Sequence, residues 1–242
     1  MGFWTNHCAN RAYLYHVRGQ FDKALAAYDK AFARQDKPQR ARDYAGYTSV
    51  LVRNGQYQKA YDVITEGIRV CNVNAKQRMS ILSLTSQYVI TLWKLGRLDE
   101  AIAEEEQVHE KMPSTNTYGT LGYFYLLKAI QTGDYEQSLS FNQKGVEYAD
   151  DDPTILDNLA QTYYRIGQYE QAKKYFELAL EEKPTQVDSL FYLAKTCEAI
   201  GDSDAARAWA EKAAAQKASH LSAVTDEMTH EYLKRLQSQE NA

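Results

Sequence analysis

Two short stretches of the sequence begin like a zinc-binding helix, in which a histidine is followed at once by a glutamate. They are "HEYLK" from His230 and "HEKMP" from His109. Such a helix needs a second histidine four residues after the first, so that both imidazoles lie on one face. Lys234 and Pro113 stand at those positions. The sequence therefore predicts no metal site.

Paired carboxylates are the other arrangement that could do chemistry, and two acidic runs offer them, Glu104–Glu106 and Asp150–Asp152. Catalytic pairs face each other in a pocket that raises the pKa of one carboxyl group. Nothing in the pattern supplies that geometry, so we interpret both runs as a solvated helix face or a turn. The sequence also lacks a glycine-rich phosphate loop and a serine nucleophile elbow. We expect neither an enzyme nor a cofactor.

Composition narrows the classes of partner and of compartment. The chain has 242 residues, is 44% apolar and carries a net charge of -4, with acidic and basic residues interspersed. It has no basic surface signature for nucleic acid and no apolar run long enough to enter a membrane. Cys8, Cys71 and Cys197 are an odd number and far apart, which is typical of a reducing compartment.

A cytoplasmic location is therefore the expectation. The alternative is a soluble domain of a longer protein whose N-terminal segment is absent here, because the chain begins almost directly in folded sequence.

A repeated unit must position any functional residues. The stretch "GQYEQAKKYFELALEEKP" from Gly167 has relatives in five other places, each beginning with glycine. The spacing between successive glycines is 34 to 41 residues, and a period near 34 indicates a solenoid. The six glycines are Gly19, Gly55, Gly96, Gly133, Gly167 and Gly201.

Each unit has the pattern of a helical hairpin. Asp152 and Pro153 favour a helix start, because aspartate caps and proline suits the first turn. Gly167 is expected to end that helix in a left-handed conformation, and a second helix follows as far as Pro184. A single hairpin is marginal alone and buries its remaining apolar face against the next hairpin.

These units closely resemble the tetratricopeptide repeat family, a 34-residue helix-turn-helix with small residues where helices meet. Eleven of twelve such positions hold Ala, Ser or Gly, and Val108 is the exception. The positions are Ala24, Ala60, Ala101, Ser138, Ala172 and Ala206, followed by Ala31, Gly67, Val108, Gly145, Ala179 and Ala213. The resemblance implies an all-α, right-handed superhelical solenoid of six hairpins plus a C-terminal capping helix.

We expect one domain over residues 1–242. Its repeats are predicted at residues 5–38, 41–74, 82–114, 115–152, 153–186 and 187–218, with the capping helix at residues 219–238. The fourth unit has extra residues before Gly133, which predicts an additional helical turn. Residues 72–80 add a longer turn or a longer helix, and Glu105 and Asn142 replace large apolar residues in the middle of the array.

The resemblance places a binding surface on the concave face, which the first helix of each unit lines. Aromatic rings supply contact area at low entropy cost and arginines anchor carboxylates, although packing between units is the alternative role. The predicted lining residues are Tyr13, His16, Ser49, Arg53, Ile90, Trp93, Lys94, Tyr123, Leu127, Gln161, Tyr164, Arg165, Lys195 and Glu198.

The two-carboxylate clamp of some members of the family is not predicted. Its places hold Ala9, Tyr13, Gly46, Ser83 and Gln87 instead of the required lysines and asparagines.

The sequence thus favours a non-enzymatic scaffold that binds a protein or peptide segment in its groove. One alternative is a sensory or regulatory peptide-binding domain of a larger protein. Another is a structural subunit that self-associates, as a homodimer, through Phe3, Trp4 and the uncapped first repeat.

Overall fold

The computed structural model describes residues 3–34, 36, 38, 40–73 and 81–239. Over these residues the chain forms thirteen α-helices and no strand. The all-α fold class predicted from the sequence is confirmed. The helices follow one another as antiparallel pairs joined by short turns, and they group into two compact units, residues 1–107 and residues 108–242.

The first unit stacks helical hairpins on one another. The first helices of its hairpins contact one another in order, α1 with α3 and α3 with α5, and α2 and α4 pack against the hairpin that follows each of them. This is the stacking that the repeat pattern predicts. Its helices are α1 (Phe3–Val17), α2 (Phe21–Phe32), α3 (Ala41–Arg53), α4 (Tyr57–Val73), α5 (Ile81–Lys94) and α6 (Leu98–Lys111). The last four residues of α6 are grouped with the second unit.

The second unit repeats the arrangement with three hairpins and a final helix. Helices α7, α9 and α11 are the first helices of these hairpins, and α9 contacts both of the others. Helix α13 packs against α12. The helices are α7 (Thr115–Thr132), α8 (Glu136–Tyr148), α9 (Pro153–Arg165), α10 (Tyr169–Glu182), α11 (Val187–Ala199), α12 (Ser203–Ala214) and α13 (Asp226–Gln239).

The recurring glycine of each repeat lies in the turn between the two helices of that repeat. All six of these glycines have positive φ, between 69° at Gly19 and 84° at Gly201. A residue with a side chain adopts this conformation only at a cost, whereas glycine does so freely. The left-handed conformation expected at Gly167 is confirmed, with φ at 78°.

The helix start predicted for the fifth repeat is also confirmed. The Asp152 side chain accepts hydrogen bonds from the backbone amides of Thr154 and Ile155, at 2.9 and 3.0 Å, and Pro153 is the first residue of α9. Helix α9 therefore begins where a capping oxygen satisfies amides that have no partner inside the helix.

Aromatic and polar contacts both join neighbouring hairpins. In the first unit the Phe32 ring lies 4.9 Å from the Tyr44 ring and 4.7 Å from the Tyr47 ring, so aromatic rings fill the space between α2 and α3. In the second unit the Phe176 and Tyr192 rings stack between α10 and α11, and buried polar groups join α7 and α8 to α9. Ser138 Oγ lies 3.0 Å from Thr162 Oγ1, and Asn158 donates to the backbone oxygen of Gly119 at 2.8 Å.

Two predicted departures from the repeat pattern fall on described residues. Helix α7 has 18 residues, against 13 in α9 and in α11, so the fourth unit contains the expected extra turn. Asn142 is buried, where it donates to the backbone oxygens of Gly122 and Ser138. The insertion expected around residues 74–80 lies outside the described residues.

The C-terminal capping helix begins later than predicted. Helix α13 starts at Asp226 and not at residue 219, because the Thr225 hydroxyl accepts a hydrogen bond from the Met228 amide and so caps the helix there. Tyr232 and Leu236 are buried in the core of the last hairpins, whereas Met228 is 37% exposed.

The cysteines are free thiols in different surroundings. Cys71 and Cys197 are buried, and burial raises the pKa of each thiol. A thiol is a nucleophile only as the thiolate. Both therefore behave as small apolar residues of the core.

Candidate functional site

The first helices of the first unit line an open depression of about 440 Å³. We call this depression the α1–α3–α5 pocket. The sequence predicted three of its lining residues, Tyr13, His16 and Ser49, and the structure brings them together. The described lining residues are Tyr13, His16, Val17, Arg42, Ala45, Gly46, Ser49, Ser83, Ser86 and Gln87.

The floor of the α1–α3–α5 pocket exists because residue 46 has no side chain. A Cβ atom at Gly46 would lie 2.3 Å from the Tyr28 hydroxyl and 3.3 Å from His16 Nδ1. Both of those polar atoms are shielded from solvent, and neither has a hydrogen-bond partner among the described residues. Buried polar groups normally have a partner, because leaving one unpaired costs free energy. These two atoms therefore lie beneath the pocket with hydrogen-bonding capacity that the described residues do not use.

The charge of the pocket comes from Arg42 and His16. The Arg42 guanidinium lies over the Tyr13 ring, 4.4 Å from its centroid, and donates to Asn10 at 2.9 Å. Burial, followed by the positive charge of Arg53, lowers the pKa of His16. None of the described lining residues is acidic. The pocket is thus polar, with its one permanent charge positive.

Sequence reasoning missed Arg42 as a lining residue, and it dismissed the role of Gly46, Ser83 and Gln87. The missing lysines and asparagines predict no clamp, but these small and polar residues still form part of the wall. The available signal was spacing, since Arg42, Gly46 and Ser49 fall at helical intervals on one face of α3.

Other predicted residues of the first unit lie away from this pocket. Arg53 stacks over the Phe21 ring at 3.9 Å, beside the turn of the first hairpin. On α5, Ile90 and Trp93 are half-buried, and the Lys94 ammonium lies 3.8 Å from the centroid of the Trp93 ring. Burial lowers the pKa of Lys94.

In the second unit the first helices carry a buried acidic residue. Asp157 accepts a hydrogen bond from Gln161 at 2.8 Å and another from Ser189 at 2.5 Å. Burial, and then the charge of Asp188, raises the pKa of Asp157 to about 7. Gln161, expected to line a groove, is itself buried and is used to support Asp157. It therefore has no free surface to offer a partner.

The remaining predicted residues of the second unit mostly contact the next helix. Arg165 donates to the Tyr192 hydroxyl at 2.9 Å, and the Tyr164 ring lies 5.5 Å from the Tyr192 ring. Lys195 lies 5.5 Å from the Phe191 ring. Leu127 and Tyr123 are half-buried on α7, and the Tyr123 hydroxyl is shielded from solvent.

Glu198, at the end of α11, is tied to α13. Its carboxylate accepts hydrogen bonds from the Tyr232 hydroxyl at 3.0 Å and from Arg235 at 2.6 Å. The Arg235 guanidinium holds the pKa of Glu198 below its usual value. In the second unit, many of the residues predicted to line a groove therefore pack between hairpins.

The histidines of the two half-motifs make local contacts. His109 Nδ1 lies 3.0 Å from Thr117 Oγ1, and His230 Nδ1 lies 2.6 Å from the backbone oxygen of Asp226. In the described part of the chain, no three His, Cys, Asp or Glu side chains converge as metal ligands would. Nor is any described helix both long and apolar enough to cross a bilayer.

Two stretches of the chain match family models described as tetratricopeptide repeat, residues 158–220 and residues 6–30. A comparison with curated protein sequences finds no significant match.

Solved structures of repeat proteins resemble the chain over nearly its whole length. The structure reported as a functional characterization of Pseudomonas aeruginosa pilF has a TM-score of 0.63 at 16% identity, covering 97% of both chains. PilW, described as a widely conserved type IV pilus biogenesis factor, has a TM-score of 0.62 at 19% identity, covering 91% of this chain and 98% of PilW. A thermophilic TPR protein of Thermus thermophilus has a TM-score of 0.52 at 15% identity, covering 98% of this chain and 100% of that protein. At these identities the likeness concerns the fold.

Proposed function

We propose that this chain, a tetratricopeptide-repeat protein, binds an extended segment of a partner protein in the α1–α3–α5 pocket. Tetratricopeptide repeats are protein-interaction scaffolds, and the matched repeats give this chain that general role. The observation that carries the proposal is the polar lining that α1, α3 and α5 bring together, which includes Tyr13, Ser49 and Gln87.

The chemistry of the pocket suits a peptide backbone. A peptide bond presents a carbonyl oxygen and an amide hydrogen, and an extended segment presents them in alternation. The Ser49 hydroxyl in the lining can donate to a carbonyl oxygen, and the Gln87 side-chain oxygen can accept from an amide. The Tyr13 ring adds contact area at low entropy cost.

Site-specific photo-crosslinking tests this proposal. A photoreactive phenylalanine analogue replaces Ser49 in the pocket or, as a matched control, the exposed Gln58 on α4. We expect irradiation in native cell extract to give one or a few discrete adducts from position 49, identified by mass spectrometry, and none of the same adducts from position 58.

A second variant tests whether the adduct at position 49 depends on the pocket. Gly46→Ala places a methyl group against Tyr28 and His16, so it should abolish the adduct at position 49 while the helical circular dichroism spectrum is retained. Identical adducts from positions 49 and 58, or no effect of Gly46→Ala in a folded chain, would contradict the proposal.

A further inference from the structure

The connection between α12 and α13 is longer than the other described connections of the second unit. Residues 183–186 join α10 to α11, whereas residues 215–225 join α12 to α13. We call residues 219–225 the C-terminal segment. It is not helical, and it includes Val224, which is 1% exposed and belongs to the apolar core of the last two hairpins.

One side of the C-terminal segment is bound to a carboxylate of α11. The Ser222 hydroxyl lies 2.8 and 2.7 Å from the two oxygens of Asp188, and the Val224 backbone also lies beside that carboxylate. The Val224 amide donates to Ser222 Oγ at 2.8 Å, so residues 222–224 form a tight turn. The carboxylate thus contacts both a side chain and the backbone of one short sequence.

The other side of the C-terminal segment reaches a helix two hairpins earlier. The Ala223 backbone lies beside the Tyr123 hydroxyl on α7, and Asp188 and Asp157 act electrostatically on the same hydroxyl. Tyr123, Asp157 and Asp188 belong to α7, α9 and α11, the three first helices of this unit. The segment therefore covers the face on which the sequence places the groove.

A helix that only closes the end of the stack does not need this contact. Tyr232 and Leu236 attach α13 to the last hairpin through buried side chains, and neither is part of the connection. Residues 222–224 instead contact Asp188 on α11 and lie beside Tyr123 on α7. Their order is a hydroxyl residue, a small residue and a β-branched aliphatic residue.

We propose that the first-helix face of the second unit is a binding site for a segment of another protein with this order of residues. Ser222, Ala223 and Val224 fill the site in the free chain, and the partner segment displaces them. The recognition elements are the Asp188 carboxylate for the hydroxyl, the Tyr123 hydroxyl for the backbone and the apolar core for the aliphatic side chain. The proposal rests on the proposed role in binding protein segments, and it adds a second site with its own chemistry.

The charge of the site specifies which segment fits. Asp157 is buried and Asp188 is half-buried nearby, and desolvation raises the pKa of each. A neutral hydroxyl satisfies the Asp188 carboxylate, whereas an acidic group in its place meets two carboxylates in a poorly solvated site. An acidic residue at position 222 should therefore release the segment.

A labelled peptide tests the site on the full chain. The probe is fluorescein-labelled "KASHLSAVTD", the sequence of residues 217–226, and its binding is followed by fluorescence anisotropy. We expect Ser222→Asp to bind the probe at least about tenfold more tightly than the wild-type chain, whose site is filled. Ser219→Asp adds the same charge at an exposed position and should behave like the wild type.

Hydrogen exchange shows whether the segment has been released. The Val224 amide, protected in the wild type by its bond to Ser222 Oγ, should exchange at least about tenfold faster in Ser222→Asp. Release of the segment without probe binding overturns the proposal. So does equal binding of a probe in which the serine is alanine, or a change to a dimer in sedimentation.

If Ser222→Asp does not fold, Ser222→Ala takes its place, because it removes only the hydroxyl. It should show faster exchange at Val224 and measurable probe binding, and an unchanged value of either overturns the proposal. None of these measurements uses the α1–α3–α5 pocket, so this proposal and the proposed function can fail separately.

Discussion

Gly67 on α4 packs directly against the Tyr44 side chain on α3. A Cβ atom at residue 67 would lie 2.7 Å from both Cβ and Cγ of Tyr44, closer than carbon atoms approach without a shift. Tyr44 is fully buried and its ring meets Phe32 at 4.9 Å, so it has little room to move. The small residue predicted at this place in the repeat is therefore a steric requirement.

Gly67→Ala should destabilise the chain, and Gly119→Ala is its matched control. Both glycines lie inside helices, so alanine gains about 1 kcal/mol of helix propensity at each. At Gly119 the nearest atom is a Thr154 methyl group at 3.3 Å, which needs only a small shift. We expect Gly67→Ala to be less stable than Gly119→Ala by about 1–3 kcal/mol in urea unfolding. Equal stability would show that Tyr44 is free to move.

Glu105→Gln should stabilise the chain above neutral pH. Glu105 is buried, and burial raises its pKa from 4.5 to about 7. Between those values the folded chain holds the proton and the unfolded chain releases it, so the unfolding free energy falls as pH rises. At pH 8 the neutral amide should raise the unfolding free energy by about 1–3 kcal/mol, with little change at pH 4.5.

The control for Glu105→Gln is Glu110→Gln, at an exposed position of the same helix. Thermal melts from pH 4.5 to pH 8 compare the two variants with the wild type. Asp157, whose pKa is also raised, keeps part of the pH dependence in every variant. A parallel profile for Glu105→Gln and the wild type would mean that Glu105 is ionised in the folded chain at neutral pH.

Asp152→Ala should weaken the start of α9. The substitution removes the oxygen that accepts from the amides of Thr154 and Ile155, and loss of such a cap costs about 0.5–2 kcal/mol. Asp151→Ala changes the neighbouring exposed carboxylate and should leave the unfolding free energy nearly unchanged. Urea unfolding resolves the difference, and equal values for the two variants would count against the cap.

Tyr232→Ala should loosen the attachment of α13. The Tyr232 ring meets Phe191 at 5.4 Å and its hydroxyl donates to Glu198 at 3.0 Å. Truncation of a buried aromatic side chain costs about 3–5 kcal/mol, and amide exchange along α13 should accelerate with it. Glu231→Ala, on the exposed side, is the control. If both variants melt like the wild type, α13 is not part of the cooperative fold.

The hairpins could be predicted from the sequence because their determinants are local and recur with the period. Gly167 marks a turn by its need for positive φ, and Asp152 with Pro153 marks a helix start. Buried Ala172, at 0% exposure, lies at a place that the repeat itself identifies as small. Each of these features depends on a few neighbouring residues and appears again about one repeat later.

The contacts that cross several repeats could not be predicted in this way. Tyr123 was expected to present its ring to a partner, but its hydroxyl lies beside Ala223, 100 residues later in the chain. The start of α13 depends on Thr225. In the C-terminal segment before α13, Ser222 and Val224 lie beside Asp188, and the segment is not helical. Arg42 becomes a pocket residue only when α1, α3 and α5 are assembled. Such contacts do not recur from repeat to repeat, so the sequence shows no periodic signal for them.

The α2–α3 interface and the interfaces of α9 with α7 and α8 should respond differently to temperature. Opening the α2–α3 interface exposes the rings of Phe32, Tyr44 and Tyr47 to water, and exposed apolar surface raises the heat capacity of unfolding. Opening the interfaces of α9 also exposes Asn158, Ser138 and Thr162, and exposed polar surface lowers that heat capacity. Stabilisation by apolar burial fades on cooling. The aromatic interface should therefore lose more of its stability near the freezing point of water, while the hydrogen-bonded interfaces remain closer to their stability at 25 °C.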